Sequence, residues 1–142
     1  MVFHNAKKPL IFKGIYKYTP GDNYVDGSDK KNVLEHLEIV DECSIMAVLY
    51  EAVDSEGKEV ILTGHDIASS EYRVAVAVLE DGGAKAEWTT FELPFNNLDG
   101  KSYDMSKSYK LAIVCSSSKD GAAFKGAVNS TLIIDELEVI GE

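Results

Sequence analysis

The chain has 142 residues and a mass of 15.5 kDa; 45% of the residues are hydrophobic and 27% charged. That length fits one domain, large enough to bury a core without metal or disulfide staples. With 24 acidic residues against 14 basic ones the net charge is −10, so the sequence lacks the basic run that a phosphate backbone or an anionic membrane surface needs, and nucleic acid is excluded as a partner.

Leu10 to Tyr18 alternates in the manner of a strand and stops at the turn cluster Thr19-Pro20-Gly21-Asp22-Asn23. Residues 26–32 are polar and loop-like. Val33, Leu34 and Leu37 fit a short helix or an extended segment equally well. Cys43 to Tyr50 is apolar on both faces, as a central strand covered on both sides should be. Asp54-Ser55-Glu56-Gly57 reads as a hairpin turn leading into a strand from Glu59 to Thr63. Tyr72 to Glu80 alternates around Val74, Val76 and Val78 and turns at Asp81-Gly82-Gly83. Glu87 to Phe95 follows, broken by residues 96–100; Tyr109 to Ser116 puts Tyr109, Leu111, Ile113 and Cys115 on one face; Ser130 to Ile140 is the last strand. Seven or eight strands, about 10–15 residues apart, with any helix confined to residues 32–38, predict an all-β jelly-roll β-sandwich of two antiparallel sheets. Residues 1–142 form one domain with an ordered core from about residue 9 to 141.

No run approaches the roughly 18 apolar residues of a membrane-spanning helix, and Met1 to Lys8 lacks the apolar stretch of a signal peptide. The chain is therefore cytoplasmic or cut from a longer precursor. Cys43 and Cys115 are too few for a disulfide framework and too far apart for a metal knuckle, and their apolar surroundings predict buried free thiols. There is no Gly-x-Ser-x-Gly, His-Glu-x-x-His or Gly-x-Gly-x-x-Gly motif. Gly121 and Gly126 have phosphate-loop spacing, but Ala127-Val128 follows where Lys and Ser or Thr are required. His4, His36 and His65 stand in unrelated contexts, and His65-Asp66 reads as a loop pair before it reads as a base and its orienter. Among 24 acids two carboxylates fall within glycosidase reach by chance, so they argue little for catalysis.

The aromatic residues carry more. Trp88 is out of phase with Thr89, Phe91, Leu93 and Phe95; if those four line the core, Trp88 points outward with Thr90 and Glu92. An outward tryptophan can stack on the apolar face of a sugar, or can pack beneath a loop. Tyr16 and Tyr18 share a face with Phe12 and Gly14 and read as core, whereas Tyr24 and Tyr103 fall in loops and are freer to meet a ligand.

Three blocks carry a family resemblance: residues 12–21, residues 41–51, and residues 113–127 running on into 130–137. The most specific part is Ser117-Ser118-x-x-Gly121-x-x-Phe124-x-Gly126-Ala127 followed by Ser130-x-Leu132-x-x-Asp135. From about residue 10 to 140 the chain resembles the bacterial putative carbohydrate metabolism domain, found towards the C-termini of surface lipoproteins. The resemblance implies a jelly roll similar to carbohydrate-binding modules, an extracellular or outer-membrane surface address, an upstream domain in the same chain, and a glycan as partner. It brings no catalytic residues. The expected function is a non-catalytic glycan-binding or adhesion module, with Trp88, Glu92 and Tyr24 as ligand-binding residues. Two alternatives stand beside it: a small glycoside-acting enzyme with paired carboxylates, and a structural spacer packed on a neighbouring domain.

Asp135 shares a strand face with Ile133, Leu137 and Val139, while Glu136 and Glu138 share the other, which turns Asp135 inward. A buried carboxylate must be hydrogen-bonded, turned out by a bulge, or bound to a cation. Carbohydrate-binding jelly rolls of similar shape often hold calcium near the last strand, so a structural calcium site would combine Asp135 with Asp22, Asp26 or Asp41.

Overall fold

The computed structural model describes residues 8–142 and, for Val2–Phe3, the strand pairing alone. The strands are β1 (Val2–Phe3), β2 (Pro9–Thr19), β3 (Tyr24–Asp26), β4 (Leu34–His36), β5 (Ser44–Glu51), β6 (Arg73–Val78), β7 (Lys85–Pro94), β8 (Asn96–Asn97), β9 (Tyr109–Ser116), β10 (Lys125–Ala127) and β11 (Thr131–Gly141). The only helical element among the described residues is a 3-10 turn at Gly121–Ala123.

Two antiparallel sheets face each other, one in the order β1-β9-β5-β6-β8 and one in the order β11-β2-β7. Alternation explains the layer between them. Phe12, Tyr16 and Tyr18 of β2 and Phe91 and Leu93 of β7 meet Ile45, Ala47 and Leu49 of β5 and Tyr109 and Leu111 of β9, all buried. Gly14 shares the inward phase because a Cβ there would lie 2.8 Å from the Phe91 ring. That ring packs edge-on against Phe12 at 5.3 Å and Tyr16 at 5.9 Å between centroids. The sandwich expected from strand spacing is the one the chain forms.

The outer face of β5 is covered as well. Val48 and Tyr50 pack with Val60 and Ile67 from the 52–72 connection, so the doubly apolar run at Cys43–Tyr50 has the second cover its composition requires. This covering role removes the strand expected at Glu59 to Thr63. Asp54 Oδ1 accepts from the amides of Glu56 and Lys58 to close the expected turn, but only an isolated Val53–Glu59 bridge follows before the chain folds over the sheet.

A small third sheet, β10-β3-β4, has strands of three residues, too short for a period-2 pattern to register. It settles Leu34–His36 as extended, paired with β3, and leaves Leu37 in the turn that follows. β11 is an edge strand, and the inner face of β9 is covered at Tyr109 and Leu111 but not at its C-terminal end. Both cysteines are free, but only Cys43 is buried; Ile113 and Cys115 are exposed despite their inward phase. Readings made on His4 and on the start of the chain lie outside the described residues.

Candidate functional site

The outer face of the β11-β2-β7 sheet carries Trp88, Thr90 and Glu92 in a row along β7, all exposed. This is the phase expected from the inward Phe91 and Leu93. Thr90 stands opposite Ile15 and Glu92 opposite Lys13 on β2; Ile15 and Lys13 in turn face Asp135 and Glu138 on β11. Trp88 lies at an irregularity. Between the pairs Tyr16–Thr89 and Tyr18–Lys85, β7 holds more residues than β2, and such bulges re-aim side chains. The indole is 46% exposed and its ring lies 5.1 Å from the Lys17 ammonium, a cation–π contact. Lys13 is occupied elsewhere, 3.7 Å from Glu138.

β7 is also an edge, paired only with β2, so alternate backbone groups on its other side are free to bond a ligand. Between this edge and the Val78–Asp81 segment leaving β6 lies a cleft of about 410 Å³. Phe91, Leu93 and Pro94 give it apolar surface, while Thr90, Glu92, Glu80, Asp81, Asn96 and Tyr16 give it polar groups. Its size and mixed lining are those of a small-ligand site. Asp81 is already engaged by the Gly83 amide at 3.0 Å and the Lys85 ammonium at 3.2 Å, and these bonds hold its carboxyl below the ordinary range. A second cleft of about 400 Å³, walled by Glu51, Asp54 and Lys107, has its charges committed to one another and to the local turn.

The aspartates named for a calcium site do not converge. Asp135 is exposed, and its Oδ1 accepts from the amide of Glu136, its own neighbour. A bulge between Asp135 and Glu138, with Glu136 at φ 55°, reverses the phase expected from counting by twos. Asp26 accepts from the Ser28 hydroxyl at 2.6 Å and lies 3.7 Å from Lys125; Asp22 lines a shallow turn pocket. Among the described residues no group of three or more His, Cys, Asp or Glu side chains is placed to hold a metal ion.

Asp41 is the carboxylate that is buried. Its Oδ2 accepts from the Ser118 hydroxyl at 2.5 Å, the Ser130 hydroxyl at 2.7 Å and the Ala127 amide at 2.9 Å, and its Oδ1 from the Glu42 amide at 2.9 Å. Gly126 lets the chains meet, since a Cβ there would lie 2.6 Å from Ser118 Oγ. Tyr18 donates to the Ser117 carbonyl at 2.7 Å beside this knot. The Ser-Ser…Gly-Ala…Ser block is therefore a hydrogen-bonded brace joining the approach to β5, the turn after β9, β10 and the start of β11. Sequence reasoning named Asp41 but not its role, because the partners of its Oδ2 lie 77 to 89 residues away.

Tyr24 is buried in β3, paired on both sides by β10 and β4, and offers no face to a ligand, contrary to the loop position read from sequence. Asp66 accepts from the Thr63 amide and so shapes its own turn rather than orienting His65. Tyr16, read as core, is both core and cleft lining; its phase on β2 hid the second role.

The two facing antiparallel sheets define the chain as a β-sandwich, with an outward tryptophan beside a polar cleft. Within that class the chain belongs to the putative carbohydrate metabolism domain family, which matches it over residues 2–140. It is similar to the solved structure of a putative glycoside hydrolase from Bacteroides thetaiotaomicron, at 35% identity and a TM-score of 0.81, covering 96% of this chain and 39% of that one. A second, a putative glycoside hydrolase from Bacteroides vulgatus, gives 33% identity and a TM-score of 0.76, covering 96% and 53%. The chain thus spans less than two thirds of the length of either. No curated protein matches the chain.

Proposed function

We propose that this domain is a non-catalytic glycan-binding module of a larger cell-surface protein. An oligosaccharide lies along β7, stacking an apolar sugar face on Trp88 and hydrogen-bonding to Thr90 and Glu92. The observation that carries this is the exposed indole, turned outward by its phase on β7 in line with those two polar side chains. The family and the neighbours' names support a carbohydrate as the partner. Their greater length supports a second domain beside this one. A glycan array probed with the purified domain and with Trp88→Ala tests the reading: binding to one glycan class, lost in the variant, is the expected result.

A catalytic reading is favoured by the two neighbours' names. It requires a carboxyl held above its ordinary range to act as acid, and Asp81 in the cleft is held in the opposite direction. Release of reducing ends from a bound glycan would establish it. A packing role is favoured by Val33, Leu34, Leu37, Ile39 and Val40, large aliphatic side chains all exposed within one short stretch. That stretch is compatible with glycan binding along β7, because it uses none of the β7 residues.

A further inference from the structure

We propose that the cleft beside β7 is a hydroxyl-reading subsite for neutral oligosaccharides, with the Tyr16 hydroxyl as its fixed hydrogen-bonding group. The inference rests on the glycan-binding reading above and extends it from a stacking platform to a ligand class.

Tyr16 is 2% exposed as a residue and lines the cleft; its hydroxyl makes no hydrogen bond within the described residues and is not sealed from solvent. A hydroxyl that bonds no protein group and meets solvent in a cleft is open to the hydroxyls of a ligand. Its ring is fixed edge-on against Phe91, so the hydroxyl is held in place before any ligand arrives. Burial raises its pKa, which keeps the proton on and leaves the oxygen able both to donate and to accept.

The walls select the ligand. Glu80 and Glu92 have no partner among the described residues, and a carboxylate can only accept, so they suit the O–H donors of a sugar. Phe91, Leu93 and Pro94 supply the apolar surface for its C–H groups. A uronate or sulfated chain would instead meet Glu80, Glu92 and Asp81 on a chain of net charge −10, while the adjacent Lys85 ammonium is taken by Asp81. From Trp88 to Pro94 the strand runs about 20 Å, so a ligand touching both platform and cleft is an oligosaccharide rather than a single sugar.

The test is calorimetric titration of the domain with neutral glucose-, xylose- and mannose-based oligosaccharides and with oligogalacturonides of equal length. A neutral series is expected to bind and the uronides are not. Tyr16→Phe, which removes an oxygen that bonds nothing in the protein, should weaken neutral binding roughly three- to tenfold with the melting temperature held within about 2 °C. Glu92→Gln, at an exposed position, should narrow the gap between neutral and uronide ligands. Uronides binding as tightly as neutral chains, or unchanged neutral affinity in Tyr16→Phe, would overturn the inference. If Trp88→Ala abolishes binding while Tyr16→Phe changes nothing, the stacking platform stands and the cleft falls. Failure of the wild type to bind any of these glycans overturns both.

Discussion

At the level of single residues, two aspartates with opposite surroundings make the sharpest contrast. Asp41 satisfies four donors, two of them hydroxyls and two of them amides, so Asp41→Ala strands them in a buried site and should destabilise the domain by about 3–5 kcal/mol in urea unfolding. Asp135→Ala, at an exposed bulge, should stay within about 0.5 kcal/mol, and millimolar calcium should leave the wild-type melting temperature where EDTA leaves it. Read from sequence, Asp135 turns inward and Asp41 stands only as a partner for calcium, whereas it is Asp41 that is buried. Counting by twos fails at Asp135 because a bulge inserts residues without changing composition, and Asp41 is recognisable only once distant serines are brought to it. The thiols divide in the same way. Burial pushes the Cys43 thiol up to about 11 and raises the Cys115 thiol as well, so it is exposure that separates them, and a thiol reagent at pH 8 should modify Cys115 alone, slowly, until the chain is unfolded.

At the level of elements, the strands were legible and their connections less so. Alternation identifies β2, β6, β7, β9 and β11, because one face of each is buried against the other sheet, and β5 shows as a run apolar on both faces because both are covered. It misses β3, β4 and β10, which are too short, and overextends the strand after Asp54, where Val60 was needed as a cover. The turns behave as their acids predict. The Ser28 hydroxyl on Asp26, the Gly83 amide on Asp81 and the Ser106 hydroxyl on Asp104 each lower the carboxyl below the ordinary 3.8. A lowered pKa in the folded state means a contribution that is complete above 3.8 and is lost as pH falls through the folded values. The urea midpoint should therefore hold steady through neutral pH and drop below about pH 4, and replacing the three with Asn together should flatten that drop. A midpoint that falls as steeply in the triple variant would place the acid sensitivity elsewhere.

At the level of the whole molecule, the fold assembles its ligand face from one irregular edge strand. β7 turns Phe91 and Leu93 into the core, Trp88, Thr90 and Glu92 outward, and leaves its free edge along the cleft that reaches Tyr16. The phase of Trp88 was readable from the four residues it opposes, whereas the cleft was not, because it needs the segment after β6 to pass alongside the β7 edge. Trp88 is the sole tryptophan in the sequence, so its emission reports that face and nothing else. The direct measurement is a fluorescence titration of the domain with a glycan that binds it in calorimetry. A saturable change in tryptophan emission, with the midpoint at the calorimetric Kd and absent in Trp88→Phe, is the predicted result. Calorimetric binding that leaves the emission of Trp88 untouched would contradict it.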